Sequence, residues 1–435
     1  MPRTSPEQCR AARRPDFTNA FSRFWVGQTV SMLGGQIGAF AIPLVAILLL
    51  HASALEVGVL YGLGYLPYLF LSAPFGVLVD RTSRHRLLLW TDTARSLTFG
   101  GIAILLFGHD LSIASLFAAE TALGVLNVAF DSAFWPYVSE LSTTANSTRD
   151  SSRIVASNSA SGMVGPAIGG ALVEAVGAGV TVLTNGLGCL ASVMTLLTVP
   201  ADRPPDRPAA LGTRSFGAEL REGYRAVFHD RLLTALAIEA GWYNCAMYIV
   251  SALLILYAIA DLGLTPVVIG IVLVGDSIAL LVGSLLSPSL ERALGRRKVL
   301  LYGMPLSTVG LFAVALAGGP PVFAAVEVMG GLGICGLGSG VINPVTIAIR
   351  QERFERRFKG RGFAFYRMVG YGGTAIGPLV GGVLGTAYGL RPTMLIGASL
   401  LALASIPALI AIARGWDALP TPSRRAEGES LPEGD

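Results

Sequence analysis

Carboxylate side chains lie inside long apolar stretches of this sequence, among them Glu120, Glu239, Asp276 and Glu327. An ionised acid at the centre of an apolar helix in a bilayer costs roughly 2.5–3.5 kcal/mol on insertion scales. Acids in such places line a polar cavity, form a pair or exchange protons. Glu120 and Asp276 lie most nearly at the middle of their stretches, which makes them the first candidates for proton coupling. Glu239 and Glu327 lie nearer the ends, where contact with an interface is the alternative.

Polar and aromatic residues in the same stretches could surround a small molecule. Aromatic rings would shape an apolar cavity, and amide side chains would orient a ligand by hydrogen bonds. The candidates are Gln36, Tyr61, Tyr65, Asn127, Asn158, Trp242, Asn244, Asn343 and Tyr366. Helix packing is the alternative for each of them. The sequence has no nucleophile motif, phosphate-binding loop or cluster of metal ligands, so we expect no enzyme activity, cofactor or metal.

The composition indicates which elements hold these side chains. The chain has 435 residues, of which 52% are hydrophobic and 14% are charged, against roughly 25% charged in soluble proteins. Uncharged runs of about 20 residues recur, which is the length of helix that crosses the hydrocarbon core. Since lipid cannot pair backbone polar groups, spanning segments must be helices. We predict an all-α integral membrane protein with twelve transmembrane helices.

A glycine-proline element occurs twice, 212 residues apart. The stretches GPAIGGALVEAVG and GPLVGGVLGTAYG are identical at seven of thirteen positions. They fall in spans five and eleven, which predicts two pseudo-symmetric six-helix halves with a ligand site near the midplane between them. The shared residues are Gly165, Pro166, Gly169, Gly170, Gly377, Pro378, Gly381 and Gly382. Small residues allow close helix approach and proline allows a kink, so packing without a role in transport direction is the alternative.

Basic residues indicate how the spans are oriented. Thirty of the 32 lysines and arginines fall in the two tails, a middle linker and alternate loops, and the exceptions are Arg95 and Arg391. The positive-inside rule therefore places both termini in the cytoplasm. The net charge of +4 reflects this topology, so we expect a lipid bilayer and not nucleic acid as the partner. Arg95 follows Asp92 by three residues in span three, which predicts a structural intrahelical pair.

The repeat and the polar middle stretch together predict the domain organisation. It consists of a cytoplasmic tail at 1–22, a six-helix bundle at 23–200, a cytoplasmic linker at 201–231, a second bundle at 232–413 and a cytoplasmic tail at 414–435. The second part of the linker has apolar residues at helical spacing. It fits either a helix on the membrane surface or a solvated linker helix.

The loop after span two resembles the G-x-x-x-D-R-x-G-R-R motif of the major facilitator superfamily. Gly76, Asp80, Arg81 and Arg84 match it, whereas Ser83 replaces a glycine. The first span and the stretch RRFKGRGFAFYRMVG are similar to the drug-efflux branch that includes macrolide and enterobactin exporters. The resemblance covers nearly all of the chain and implies the major facilitator fold.

The resemblance also implies roles for the loop residues. In the family the loop aspartate meets the N-terminus of span eleven and the arginine pairs with an acid in span four, roles that Asp80, Arg84 and Asp131 would fill. A carboxylate at an exposed helix N-terminus gains about 0.3–1 kcal/mol, which suits a breakable latch on the outward-open state. A solvated loop that only sets topology is the alternative. The element at Gly165 partly resembles the end of the family's antiporter motif.

These observations predict a monomeric secondary active transporter in the inner (plasma) membrane. It is expected to export an amphipathic small molecule by alternating access, coupled to proton entry. An importer or facilitator of a small nutrient on the same fold is the first alternative, and the direction of flux under a proton gradient separates the two. A membrane scaffold or sensor without transport is the second, and any gradient-coupled flux would exclude it.

The predicted orientation can be tested by cysteine labelling of intact cells. Gly108→Cys and Gly318→Cys, in loops predicted to be external, should react with a membrane-impermeant maleimide, whereas Gly212→Cys in the linker should not. Permeabilised cells provide the control, because there all three positions should react. Labelling of Gly212→Cys in intact cells would show that the orientation is inverted.

Overall fold

The described residues form twelve long helices. The computed structural model describes residues 17–79, 81–142, 147–199, 231–353 and 359–415, together with Tyr224 and Phe228. The first set of six comprises α1 (Phe17–Leu44), which continues as a π-helical segment over Val45–Leu49, α2 (Ala54–Val79), α3 (Arg84–Phe107), α4 (Ile113–Leu141), α5 (Ser147–Val176) and α6 (Ala178–Leu196). The second set comprises α7 (Arg231–Ala260), α8 (Pro266–Leu294), α9 (Arg296–Leu316), α10 (Pro321–Arg353), α11 (Lys359–Tyr388) and α12 (Leu390–Gly415).

The helix limits bear on the predicted tails and linker. α1 begins at Phe17, within the predicted N-terminal tail at 1–22, and the boundary between tail and bundle stays a prediction. The predicted linker at 201–231 lies outside the described residues except for its last residue, which begins α7, and for Tyr224 and Phe228, whose rings stack with centroids 4.4 Å apart. The orientation of this segment at the membrane stays a prediction.

Eleven of the twelve described helices are long and apolar enough to cross a membrane. The exception is α3, whose 24 residues include Asp92, Arg95 and several hydroxyl side chains. Thr91 and Asp92 are fully buried where α3 packs along α4 and α6, so these two polar residues face protein and not lipid. The chain is therefore a multi-pass membrane protein in which hydropathy alone overlooks one helix.

The two sets of helices pack by the same plan. In the first set, α1 packs against α5 and α6, α3 packs against α4 and α6, and α2 packs against α4. In the second set, α7 packs against α11 and α12, α9 packs against α10 and α12, and α8 packs against α10. Between the sets, α2 packs against α11 and α5 packs against α8. These two contacts are equivalent by the repeat, because α2 corresponds to α8 and α5 corresponds to α11. The repeat predicted from the sequence is thus present in the packing.

An ion pair is repeated at one face of the molecule. Arg84 at the start of α3 pairs with Glu140 near the end of α4. Arg296 at the start of α9 pairs with Glu352 near the end of α10, with Nη1 and Oε2 2.6 Å apart. The second pair lies 212 positions after the first, which is also the offset of the glycine-proline element. In each set the pair joins the start of one helix to the end of the next.

Glycines bring α5 and α8 into backbone contact. A Cβ atom at Gly170 of α5 would lie 2.4 Å from the carbonyl oxygen of Pro266. A Cβ atom at Gly270 of α8 would likewise lie 2.4 Å from the carbonyl oxygen of Pro166. Any larger residue at these glycines would push the two helices apart. The glycine-proline element of α5 is therefore a contact between the two sets.

The equivalent contact joins α2 and α11. A Cβ atom at Gly58 would lie 2.4 Å from the carbonyl oxygen of Pro378, and one at Gly382 would lie 3.0 Å from the carbonyl oxygen of Ala54. Since α2 and α8 begin at this end of the molecule and α5 and α11 finish there, both contacts close the face that carries the α1–α2 loop. We call it the α1–α2 face.

The other glycines of the two elements face their own set. A Cβ atom at Gly165 or Gly169 would come within 3.0 Å of α1, and one at Gly377 or Gly381 would come within 3.0 Å of α7. Each glycine-proline element thus packs one side against its own set of helices and the other side against the other set. We call the two contacts between the sets, Gly170 with Pro266 and Gly58 with Pro378, the glycine seal.

Gly170→Val should hold the α1–α2 face apart, because the new side chain would overlap the backbone at Pro266. Overpacking of this kind costs about 1–3 kcal/mol, which would reduce the sealed population roughly tenfold. The measurement is disulfide formation between Glu174→Cys and Val267→Cys, since Glu174 Oε1 accepts a 3.1 Å hydrogen bond from the Val267 N–H.

Gly162→Val is the matched control on the same helix, because a Cβ atom there would meet no described atom within 4 Å. It should leave the rate of disulfide formation unchanged. Equal crosslinking in the Gly170→Val and Gly162→Val backgrounds would show that the glycine contact does not govern the seal.

Candidate functional site

A cavity of about 300 Å³ lies among the helices of the first set. Its walls come from α1, α2, α3, α4 and α6, and the lining residues are Gly35, Ala39, Ile42, Pro43, Leu60, Tyr61, Gly64, Tyr65, Tyr68, Arg95, Phe99, Glu120, Leu123, Asn127 and Asn185. Mostly apolar walls with a few polar groups are typical of small-molecule sites, and the volume is at the small end of their range. The sequence predicted a site between the halves, whereas the residues that line this cavity all belong to the first set.

Tyrosines of α2 separate the cavity from the second set. Tyr65 makes an edge-to-face contact with Tyr248 of α7, with centroids 5.2 Å apart. Tyr68 stacks on Tyr371 of α11 at the same centroid distance of 5.2 Å. The Tyr68 hydroxyl also donates a 2.6 Å hydrogen bond to Asp131 Oδ2 on α4. A movement of the second set relative to the first would therefore change the wall of the cavity.

Glu120 is the acid of the cavity. It is partly buried on α4, and its Oε2 faces α2 at Gly64, where a Cβ atom would lie 3.3 Å away. Within the described part of the chain, no basic side chain forms a salt bridge with Glu120. A lone carboxylate among apolar groups is unfavourable, so Glu120 is suited to bind a proton or a cationic group.

Arg95 of α3 is the cation of the cavity. Its Nη1 donates a 3.1 Å hydrogen bond to Asp92 Oδ1, which confirms the predicted intrahelical pair. The Ser192 hydroxyl donates to Asp92 Oδ2 at 2.5 Å and accepts from the Gln28 side-chain amide at 2.6 Å. Sequence reasoning gave the pair only a structural role and missed the cavity position of Arg95. An arginine and an aspartate three residues apart in one span can form a structural pair or can line a cavity. The sequence contains no further feature that distinguishes these two roles.

Three of the predicted substrate-cavity residues, Tyr61, Tyr65 and Asn127, line the cavity. Three others lie outside its lining with exposed side chains, and they are Asn158 of α5, Trp242 of α7 and Asn343 of α10. Apolar helices carry little periodicity that tells an inward face from an outward one, since lipid and protein interior are both apolar.

The remaining three predicted lining residues interact elsewhere. Gln36 packs against α5, where a Cβ atom at Gly165 would lie 2.4 Å from the Gln36 Cβ. Asn244 donates a 2.8 Å hydrogen bond to a carbonyl one turn earlier on α7. Tyr366 is buried, and its hydroxyl donates to the carbonyl of Leu236 at 3.0 Å. These side chains find their partners in helix packing and do not line the cavity.

The other candidate acids also lie outside the cavity lining. Asp276 of α8 lies against α10, where a Cβ atom at Gly336 would be 2.7 Å from its Oδ1. Glu327 accepts a 2.9 Å hydrogen bond from the backbone N–H of Gly318, so it stabilises the loop between α9 and α10. Glu327 lies close enough to the start of α10 to reach that loop, which fits the alternative of a position near the interface. Its role in proton coupling stays a prediction.

Glu239 belongs to a separate polar cluster in the second set. It is buried on α7 within electrostatic reach of Arg350 on α10. The Arg350 guanidinium lies over the ring of Tyr366, 4.2 Å from its centroid. The cluster is therefore distinct from the cavity that contains Glu120.

The α2–α3 loop differs in one contact from the arrangement that the family resemblance implies. Asp80 lies outside the described residues, and Arg81 is exposed. Arg84 pairs with Glu140, whereas the family resemblance implied Asp131 as its partner. Glu140 lies roughly 13 Å further along α4, level with the loop, whereas Asp131 lies deeper and accepts the Tyr68 hydrogen bond.

Two further residues of the motif, Gly76 in α2 and Ser83 in the loop, have defined surroundings. A Cβ atom at Gly76 would meet no described atom within 4 Å. Ser83, which replaces a glycine of the motif, is the N-cap of α3, and its hydroxyl accepts from the Arg86 N–H at 3.2 Å. The replacement thus satisfies one of the free N–H groups at the start of the helix.

The chain matches the transmembrane secretion effector family over residues 12–431. It is 27% identical over 356 residues to the multidrug efflux pump Tap of Mycolicibacterium fortuitum, an alignment that covers 79% of this chain and 84% of the relative. It is 22% identical over 382 residues to macrolide efflux protein A of Streptococcus pyogenes, with coverage of 88% and 93%.

Among solved structures, a bacterial homologue of the human lysosomal transporter Spinster superposes with a TM-score of 0.73 at 13% identity. The superposition covers 94% of this chain and 99% of that chain, and at such identity it shows the fold alone. The matched segment takes in all twelve described helices and both copies of the glycine-proline element. The chain therefore belongs to the transmembrane secretion effector family of the major facilitator superfamily.

Proposed function

We propose that this chain is a secondary active transporter that exports amphipathic small molecules, with organic cations as the preferred class, in exchange for protons. The observation that carries this proposal is the cavity of the first set, where Glu120 lies beside tyrosines without a salt-bridge partner among the described residues. The names of the relatives support export. We place the protein as a monomer in the inner (plasma) membrane, with protons, substrate and the bilayer as its partners.

Competition at one carboxylate would couple the two fluxes. In an apolar cavity an isolated carboxylate is unfavourable, but a protonated acid or a carboxylate paired with an ammonium group is tolerated. An organic cation that binds Glu120 therefore displaces the proton, and a proton that binds displaces the cation. The tyrosine rings add favourable contacts for a cation, since an ammonium group is attracted to an aromatic face. Exchange needs no long-range signal, because both ions use the same site.

The glycine seal would determine from which side of the membrane the cavity is accessible. If both termini are cytoplasmic, as the basic residues indicate, then the α1–α2 face is the external face. The contacts of Gly170 with Pro266 and of Gly58 with Pro378 then shut the cavity off from the outside. Alternating access requires these contacts to separate while the α2–α3 loop closes the cytoplasmic face. Asp80 is the proposed latch residue for that second state.

The two alternatives from the sequence have weaker support. An importer of a small nutrient would use the same fold, but the names of the relatives favour efflux. A scaffold or sensor would have no need for a partly buried acid in a cavity. We therefore propose export and not import or a scaffold role.

Glu120→Gln should abolish proton-driven efflux while downhill movement of substrate remains, because an amide cannot exchange a proton. The measurement uses the purified full chain in proteoliposomes, with uptake of a fluorescent cationic dye under an imposed pH gradient. Proton release from detergent-solubilised protein on addition of dye should also disappear in Glu120→Gln.

Asp276→Asn and Glu327→Gln are the matched comparisons. Both should keep proton-driven transport, since neither acid lines the cavity and Glu327 is bonded to a loop N–H. If Glu120→Gln pumps normally and Asp276→Asn does not, then the coupling acid lies in the second set.

Asp80→Asn should reduce transport strongly while the protein remains folded in the membrane, since the neutral amide is a weaker partner for a helix N-terminus than a carboxylate. The measurement is the rate of dye efflux at equal membrane abundance. Arg292→Gln is the control, because Arg292 occupies the equivalent position 212 residues later and is exposed. Normal efflux by Asp80→Asn would show that the loop only sets topology.

A further inference from the structure

We infer that Arg95 forms an oxygen-binding subsite of the cavity, so that the preferred substrates are amines that also carry a neutral hydrogen-bond-accepting oxygen. The inference rests on the proposed function, which assigns the amine to Glu120. It adds a second point of recognition in the same cavity, since Glu120 belongs to α4 and Arg95 belongs to the neighbouring helix α3.

The Arg95 guanidinium is held in place and has donors to spare. Its Nη1 is bonded to Asp92 at 3.1 Å, and its Cζ lies 5.1 Å from the centroid of the Phe130 ring. A guanidinium has five N–H donors, and the Arg95 Nε is buried without a partner in the described structure. The Arg95 side chain lines the cavity and is 14% exposed. An oxygen atom in the cavity can therefore accept a hydrogen bond from a guanidinium N–H that Asp92 does not use.

Hydrogen bonds around Asp92 fix the position of the Arg95 guanidinium. Asp92 is fully buried and accepts from Ser192, which in turn accepts from Gln28. This chain of bonds crosses from α3 through α6 to α1, so three helices hold the carboxylate that orients Arg95. A donor held in this way needs little reorganisation when a ligand arrives, which favours selective recognition.

Charge balance specifies a neutral oxygen. Asp92 compensates the charge of Arg95, so the pair presents hydrogen-bond donors but little net positive charge. A carboxylate or phosphate on the substrate would add an uncompensated negative charge to a cavity that already contains Glu120. A carbonyl, ether or hydroxyl oxygen makes the same hydrogen bond without that cost.

Apolar side chains also line the cavity. Phe99, Leu123 and Ile42 contribute to the wall, and the volume of about 300 Å³ suits a small amphiphile or one end of a larger molecule. The expected ligand has an amine, an apolar body and an acceptor oxygen.

A matched pair of probes tests the inference. They are 2-(dimethylamino)ethyl benzoate, which has an amine and an ester carbonyl, and N,N-dimethyl-4-phenylbutylamine, which has the same chain length without oxygen. Binding of each to the purified full chain in detergent is measured by isothermal titration. The wild-type protein should bind the ester more tightly. Arg95→Met should weaken ester binding roughly tenfold or more relative to the alkyl amine, the loss expected for a hydrogen bond to a charged group.

Two further variants keep the result interpretable. Since Arg95→Met leaves Asp92 buried and unpaired, the double variant Asp92→Asn with Arg95→Met removes both charges and should show the same loss of selectivity. Arg153→Met is the control, because Arg153 lies over the Trp25 ring at 5.4 Å and outside the cavity lining. It should keep the wild-type preference for the ester.

The outcomes separate the subsite from the proposed function. If the wild-type protein binds the ester no better than the alkyl amine, or if Arg95→Met weakens both probes equally, then the oxygen-binding subsite is overturned. If Glu120→Gln leaves the binding of both probes unchanged, then the amine is not bound by Glu120 and the proposed function fails, whatever the result at Arg95.

Discussion

Backbone contact between glycine-proline helices is the constraint on which the rest of this structure depends. Within a membrane the two halves gain little from burying apolar side chains against each other, because lipid is equally apolar. They associate closely only where small residues let backbones meet. Gly170 against Pro266 and Gly58 against Pro378 provide such contacts on the two sides of the molecule. The same contacts place the tyrosines of α2 against the second set and so define one wall of the cavity.

The two charged groups of the cavity, Arg95 and Glu120, differ in whether other side chains bind them. Arg95 is bonded to Asp92, which is held in turn by Ser192 and Gln28. Glu120 has no salt-bridge partner among the described residues. A charged group held by an ion pair keeps its charge and position and can recognise a ligand, whereas a carboxylate without a salt-bridge partner can exchange a proton for a bound cation. This difference makes Glu120 the proposed exchange site and Arg95 the proposed specificity element, within a single small cavity.

Symmetry of the fold does not extend to the chemistry. The ion pair of Arg84 with Glu140 recurs as Arg296 with Glu352, and the seal recurs on the other side. The position that corresponds to Glu120 in the second set is Leu332, so the acid of the cavity has no counterpart there. A duplicated scaffold thus holds a site that belongs to one half only.

The sequence by itself determined the helices, the repeat and the expected topology. Long apolar runs must be helices in lipid, and the 212-residue offset between two similar glycine-proline elements is visible in the sequence alone. It also identified Glu120 as an acid at an unfavourable depth. Only the tertiary structure decided that Arg84 meets Glu140 and that Arg95 joins Glu120 in one cavity. The physical reason is that a helix surrounded by lipid and protein is apolar on all sides, so its sequence leaves undetermined which neighbour each polar side chain faces.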